Sequence, residues 1–277
     1  MEEVNIPVRV DSKTEKVNTF VVAHYNYKDV VKTLESIRRN TPPNFYIILV
    51  DQNPECPDLT HLVDIQVKTK RKLGFAKAMN TGIRLADTKY VTCWNDDAEC
   101  INPHWWEGIE LTFKDNPTAL GVNPSSPRNP GSPGGGQVDE RPYKENYSDE
   151  EYQELLDNLG HGWVIDGICT WGTVYNRELL DKVPGVIPGK AWYDEFFWPG
   201  GGEDYDLNRR AYMSGLRMLG TGHSFVWHWW YGSNDGKVNF SYGFNDKWGE
   251  GADIYGHGGI QDIRPNKVKP LEECPER

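Results

Sequence analysis

The chain has no CxxC pair, and its five cysteines (Cys56, Cys93, Cys100, Cys169 and Cys274) form an odd, scattered set. That disfavours a disulfide framework or a cysteine-built zinc site, and a reducing, cytoplasmic setting fits better. Positive charge is scarce: 30 lysines and arginines face 41 acidic residues, for a formal charge of −11. Nonspecific attachment to nucleic acid or to an anionic membrane is excluded on that balance. A phosphate-bearing small ligand stays open, because a bound metal ion reverses the field inside one pocket. No apolar run approaches the ~20 residues that span a bilayer, and the opening MEEVNIPVRVDSKTEK is too acidic and polar for a secretory signal. GxxxxGK[ST] is missing, and no GxGxxG stands between a strand and a helix, so P-loop and Rossmann readings are weak.

What is present is an alternation of short β-rich runs with amphipathic stretches. NTFVVAH, FYIILVD, VDIQVKT and KYVTCW read as strands. Between them, VVKTLESIRRN puts Val30, Val31, Leu34 and Ile37 on one helical face, and Phe75 to Ala86 places Phe75, Ala78, Met79, Ile83 and Ala86 inward. This order predicts an α/β fold with a mainly parallel central sheet flanked by helices. In such sheets ligands bind beyond the carboxyl ends of the strands, where Asp51 and the Asp96–Asp97 pair both fall, so one crevice is expected to hold them. From Asn116 to about Ser148 the text is rich in Pro, Gly and Ser and reads as a long loop. Ser148 with Glu151 announces a capped helix through Leu155, Leu156 and Leu159. GWVIDGICTWGTVYN reads as a buried strand pair, DLNRRAYMSG as a helix stopped by Gly215, and LRMLG and SFVWHWW as closing strands. With no repeat and no linker, residues 1–277 are expected to form one domain: a ligand-binding half over about 17–100, a second half over about 101–235, and an extension of unknown role over about 236–277.

Four clusters can carry chemistry, and each has a plain structural alternative. Asp96–Asp97 is either an acidic turn or a platform of hard oxygens for magnesium or manganese holding a diphosphate. In GGGEDYDLNRR, Glu203 and Asp204 either cap a helix start or place a general base beside an acceptor hydroxyl. The flanking Trp192, Phe196, Phe197 and Trp198 suit a sugar face or a core equally. His228 in VWHWWYGS is either a hydrogen-bonded core histidine or a further metal ligand, with His223 as the competing candidate. Lys72 and the Gly74 backbone precede a helix start, which is an ordinary helix entry or an anion site.

Taken in order, FVVAHYN with LESI, ILVDQN, KLGFAKAMNTGI, WNDDAE, the GGGEDYDLNRRAYMSGLRML block and VWHWWYGS resemble the inverting family 2 glycosyltransferases of A-type fold (GT-A), over roughly residues 17 to 235. The resemblance implies that Tyr25 lies along a nucleotide base, that Asp51 hydrogen-bonds it, and that Lys72, Gly74 and Asp96 help hold the nucleotide sugar. It implies Asp97 and His228 as ligands of Mn2+ or Mg2+, Asp204 as catalytic base, and Glu203, Trp198 and Trp171 on the acceptor side. The family's D-x-D pattern reads Asn95-Asp96-Asp97 here, so its first carboxylate is an amide. QNPECPD stands where Ser-Thr usually follows the second strand's aspartate.

The activity implied is metal-dependent, inverting transfer of a hexose from a nucleotide-diphosphate sugar, UDP-linked by preference, to the hydroxyl of a glycan or other acceptor in glycan synthesis. Nucleic acid is not an expected partner. Three rivals stand beside it. A sugar nucleotidyltransferase wants a Gly-rich basic loop near the N-terminus, and VVAHYNYKD is not one. A retaining transferase does not need the inverting base that the Glu-Asp block supplies. A carbohydrate-binding protein without turnover has no need of Glu203 and Asp204 together with Asp97 and His228.

Overall fold

The computed structural model describes residues 16–25, 29–126, 143–160, 162–167, 171–198, 200–229, 240–261 and 263–269. NTFVVAH forms β1 (Asn18–His24), FYIILVD forms β2 (Phe45–Asp51), IQVK forms β3 (Ile65–Lys68) and YVTCWN forms β4 (Tyr90–Asn95). The four lie side by side and parallel, in the order β3-β2-β1-β4. Their near-continuous apolar text has a direct cause, since both faces of the sheet are covered. Phe20 and Val22 of β1 point into one core, and Val21 between them points into the other.

The sheet continues through β8 (Gly172–Asn176), β6 (Ala119–Ser125), β9 (Arg217–Phe225) and β7 (Val164–Asp166), giving eight strands in the order β3-β2-β1-β4-β8-β6-β9-β7. β8 runs antiparallel to both of its neighbours, and β7 is antiparallel to β9 at the edge. One face carries α1 (Val30–Arg39), α3 (Trp105–Asp115) and α4 (Asp149–Leu155). The other carries α2 (Phe75–Ile83), α5 (Arg177–Leu180) and α6 (Glu203–Met213). The spacing of Val30, Leu34 and Ile37 turns one stripe of α1 inward, and all three are buried. Replacing one such residue by alanine removes about 2–5 kcal/mol. Ser148 and Glu151 make the reciprocal capping contacts that start α4.

Several expectations need correction. The loop expected over 116–148 begins later, because Ala119–Ser125 is β6 and every residue of it is buried. Its prolines and serines misled the reading: Pro124 sits beside a register irregularity, where the missing N–H costs little. Residues 127–142, the Pro/Gly-rich part of that loop, lie outside the described residues. GWVIDGICTWGTVYN does not form a strand pair; β7 pairs with β9, while β8 sits between β4 and β6. RMLG and SF, from those two runs, belong to one strand, β9, and His223 lies inside it rather than before it. α2 ends at Ile83, three residues short of Ala86.

A two-stranded ribbon completes the frame, with β5 (Ala98–Glu99) antiparallel to β10 (Trp227–His228). Its register sets His228 opposite Ala98, the residue after Asp97. Beyond it, α7 (Phe240–Trp248) and residues 249–261 and 263–269 pack on α6 and on residues 194–198.

Candidate functional site

Parallel register brings the chemistry together. His24 pairs with Asp51 at the ends of β1 and β2, and Ala23 pairs with Asn95 at the end of β4. The turn after β4 therefore carries Asp96 and Asp97 to the same edge of the sheet. Thr33 Oγ1 donates to the Asp96 carbonyl at 2.6 Å and pins that turn to α1. The Asp96 carboxylate accepts from the Tyr25 N–H at 3.3 Å and faces His24 Nδ1 at 2.9 Å. Asp51, 1% exposed, accepts from the Asn53 N–H at 3.0 Å and from Gln66 Nε2 at 3.1 Å. Lys72 lies 4.2 Å over the Tyr25 ring, a cation–π contact that holds both side chains at this edge.

Gly74 starts α2 with φ 79°, a conformation that favours glycine. Its N–H and that of Leu73 both donate to Gln52 Oε1, at 3.1 and 2.8 Å. The helix entry is thus tied to the end of β2 by a glutamine that the sequence reading overlooked. Cys56, also overlooked, sits in the loop after β2. Burial, then the Asp51 carboxylate, pushes its thiol up to about 12, so it is a protonated donor rather than a nucleophile.

Asp97 and His228 meet across the ribbon, with His228 Nε2 3.1 Å from Asp97 Oδ1. Both side chains are buried, at 10% and 3% exposure. His228 is further fixed by its own N–H donating to Ser126 Oγ at 3.2 Å, and the Asp97 carbonyl accepts from the Trp229 N–H at 3.0 Å. Trp171 stacks on the imidazole with ring centres 4.6 Å apart and planes at 7°. That is a different place from the acceptor surface expected for Trp171, which is 3% exposed.

The pair fits a hard divalent ion. Neighbouring donors of an octahedral ion with bonds of about 2.1 Å stand about 3.0 Å apart, close to the separation seen. A carboxylate oxygen and an imidazole nitrogen suit manganese, with remaining positions left to diphosphate oxygens and water. The described residues hold one further group of donors, His24, Asp51 and Cys56, within 4.8 Å of one another.

The second half of the site is built on α6. Gly202 caps it with φ 95°, which lets the chain turn directly from the glycine run into the helix. Glu203 is buried, and one of its oxygens accepts the Gly201 N–H. Burial, then the neighbouring Asp204 carboxylate, pushes Glu203 up to about 8, which favours its protonated form. Asp204 is half-buried, and its Oδ1 accepts from the Tyr205 N–H at 2.9 Å. The two carboxyl groups therefore differ in environment, one buried and shifted toward its protonated form, the other reachable by solvent.

This loop is joined to the strand edge. A Cβ on Gly200 would lie 3.5 Å from that of Phe75, and half-buried Trp198 lines one pocket with Gly74, Lys77, Glu195 and Lys269. Trp192, weighed as a sugar platform, is fully buried and donates from Nε1 to Asp181. Phe197 is buried as well, against Phe244 and Trp248. His223, the competing metal ligand, donates its N–H to Thr221 Oγ1 within β9.

A mostly parallel sheet, helices on both faces, and carboxylates gathered beyond the strand ends define an α/β protein with its ligand crevice at that edge. The profile of glycosyl transferase family 2 matches residues 19–183, more than half of the chain. The chain belongs to that family. No curated protein matches it in sequence. Among solved structures it is similar to a mannosyltransferase from Pyrobaculum calidifontis in complex with GDP-Man and Mn2+, at 17% identity and TM-score 0.51, covering 80% of this chain and 59% of that one. GalNAc-T7 with UDP, GalNAc and Mn2+ aligns at 16% identity and TM-score 0.52, over 78% and 44% of the two chains. S. aureus TarS 1-349 aligns at 13% identity and TM-score 0.51, over 76% and 60%. At these identities the likeness is one of fold, and the chain spans 44 to 60% of the length of those three chains. No described helix is long and apolar enough to cross a membrane.

Proposed function

We propose that this glycosyltransferase moves a hexose, UDP-linked by preference, from a nucleotide-diphosphate donor to an acceptor hydroxyl with inversion. The observation that carries the reading is the contrast between Glu203 and Asp204 at the start of α6. Two adjacent carboxyl groups in unlike environments, one buried and raised and the other half-buried, suit an acid and a base. Asp204, reachable from solvent, takes the proton of the attacking hydroxyl. Glu203, neutral, keeps one oxygen on the Gly201 N–H and leaves the other to orient the acceptor. Trp198 gives the acceptor an apolar face.

On the donor side Tyr25 lies along the base, Asp51 accepts from it, and Lys72, Gly74 and Asp96 hold the ribose and diphosphate. Asp97 and His228 would hold Mn2+ or Mg2+, whose Lewis acidity neutralises the leaving diphosphate when the ion is bound. Attack from the Asp204 side, opposite the diphosphate, inverts the anomeric carbon. The supports are the family, the fold shared with Mn2+ complexes of nucleotide-sugar enzymes, and the fit of this donor pair to a hard cation. A reducing compartment such as the cytoplasm suits the free thiols of Cys56, Cys93 and Cys100. One domain over the whole chain suits the way α7 and the segment after it are anchored on α6.

Two variants test the assignment. Asp204→Asn is expected to abolish nucleotide release from a donor panel while calorimetry still shows donor binding; full turnover in that variant removes Asp204 as base. Asp97→Ala is expected to lose the manganese-dependent part of donor binding. Equal donor affinity in this variant with and without manganese is the expected result, and an undiminished manganese effect removes the ligand role.

A further inference from the structure

The trio His24, Asp51 and Cys56 shares Asp51 with the proposed base contact, and its imidazole and thiol have a use that the proposed transfer does not draw on. His24 ends β1, Asp51 ends β2, and Cys56 sits in the loop that follows, so parallel register alone brings imidazole, carboxylate and thiol together. One donor atom from each lies within 4.8 Å of the others, and all three side chains are buried. A second observation points to a ligand. His24 Nδ1 faces the Asp96 carboxylate at 2.9 Å. A carboxylate on one ring nitrogen fixes the tautomer and leaves Nε2 as the acceptor nitrogen, the arrangement that supports metal-binding histidines. Each Asp51 oxygen accepts one N–H, from Asn53 and from Gln66, and the Cys56 thiol donates to the same carboxylate, so thiol and carboxylate already face each other.

We propose that His24, Asp51 and Cys56 form a binding site for a thiophilic divalent cation of the zinc type, separate from the Asp97–His228 pair. Nitrogen, oxygen and sulfur in one set suit zinc, whereas Mg2+ and Mn2+ prefer oxygen-rich sites. Tetrahedral bonds of about 2.0–2.3 Å put donors about 3.3–3.8 Å apart, so a trio already within 4.8 Å closes by at most about 1.5 Å on binding, and water fills the fourth position. On binding, the Cys56 S–H bond breaks, the sulfur–metal bond forms, and the proton leaves to solvent. No electron is transferred. Cysteine spacing could not have revealed this site, because it uses a single cysteine. The proposal does not depend on the reading of Asp204 or Asp97.

The test uses the full-length, metal-stripped protein titrated with Co2+ under anaerobic conditions. A thiolate-to-cobalt charge-transfer absorption with the intense visible bands of a tetrahedral ion is expected, and Zn2+ should displace both stoichiometrically. Cys56→Ser should lose the charge-transfer absorption, and Asp97→Ala should keep it. His24→Gln keeps the thiol and should weaken Co2+ binding about 10-fold or more. This second variant decides the matter if Cys56→Ser fails to fold. Cobalt bound without a thiolate band, or a band unchanged in both Cys56→Ser and His24→Gln, overturns the site.

Discussion

Lys247→Met is expected to unlock the helix that carries Asp204. Lys247, on α7, sits 2.7 Å from Asp194 Oδ2 and 2.7 Å from Asp206 Oδ1, with its side chain 8% exposed and the two carboxylates at 4% and 0%. It joins the 194–198 segment to α6 one turn from the helix start. Its removal strands two buried carboxylates, and breaking a buried pair this way costs about 3–5 kcal/mol. The lower end applies here. Asp206 keeps Arg210 at 2.8 Å and Trp248 Nε1 at 2.8 Å, and Asp194 keeps the N–H groups of Phe196 and Lys267. A loss of about 3 kcal/mol corresponds to a Tm lower by about 6–12 °C for a chain near this size. The pH dependence has a definite sign. Burial works against the charge of Asp206, but Arg210 and Lys247 hold its carboxyl below the usual range. Its contribution is therefore present above the unfolded carboxylate value of about 3.9 and is lost as pH falls below it. The gap between wild type and variant should be full at neutral pH and should narrow on acidification, as the stranded carboxylates protonate. Adding Asp194→Asn should recover part of the loss. Circular dichroism melts at several pH values measure all of this. A Tm within about 2 °C of wild type at neutral pH, or a gap that widens in acid, refutes the clamp.

Two further outcomes bear on the site. Glu203, raised to about 8 by burial and then by Asp204, binds its proton more tightly folded than unfolded. Wild-type stability should therefore fall as pH rises from about 4.5 to 8, and Glu203→Gln should flatten that slope in urea titrations. An identical slope in the variant removes the protonated carboxyl. Trp171→Leu strips the stacked ring from His228, and with stacking worth about 0.5–1.5 kcal/mol, Mn2+ affinity should drop about 2- to 10-fold by electron paramagnetic resonance titration. Trp171→Phe should restore most of it, and an affinity insensitive to both changes shows that the stack does not position His228.

The first four strands were legible because their signals are local. FYIILVD and KYVTCW announce strands, their aspartates stand at the carboxyl ends, and a parallel sheet leaves those ends on one edge. The His24 contact was not legible, since it depends on which strands become neighbours, yet FVVAH already ended a strand on that residue. β6 failed for another reason. ALGVNPS carries the proline and serine of a loop, and the sheet accepts them because Pro124 sits at an irregularity where its missing N–H is tolerated.

The extension after about residue 236 was opaque for the deepest reason, because much of its anchoring is by buried charge beside the small Phe244–Trp248 cluster. Arg209 donates to the carbonyls of Asp253, His257 and Gly258, and Lys269 gives its N–H to Glu195. Charged residues at these positions read from sequence as a solvated surface. Only the packed structure shows that Arg209, Arg210 and Asp206 are fully buried and that the extension supplies partners to Arg209 and Asp206, while Arg210 is held by Asp206 and by the Pro184 and Trp192 carbonyls. A polar network of this kind is favourable only when complete, since each missing partner leaves a dry charge behind. It follows that α6 and the extension stand or fall together, and that the geometry of Asp204 is set in part by residues more than forty positions downstream.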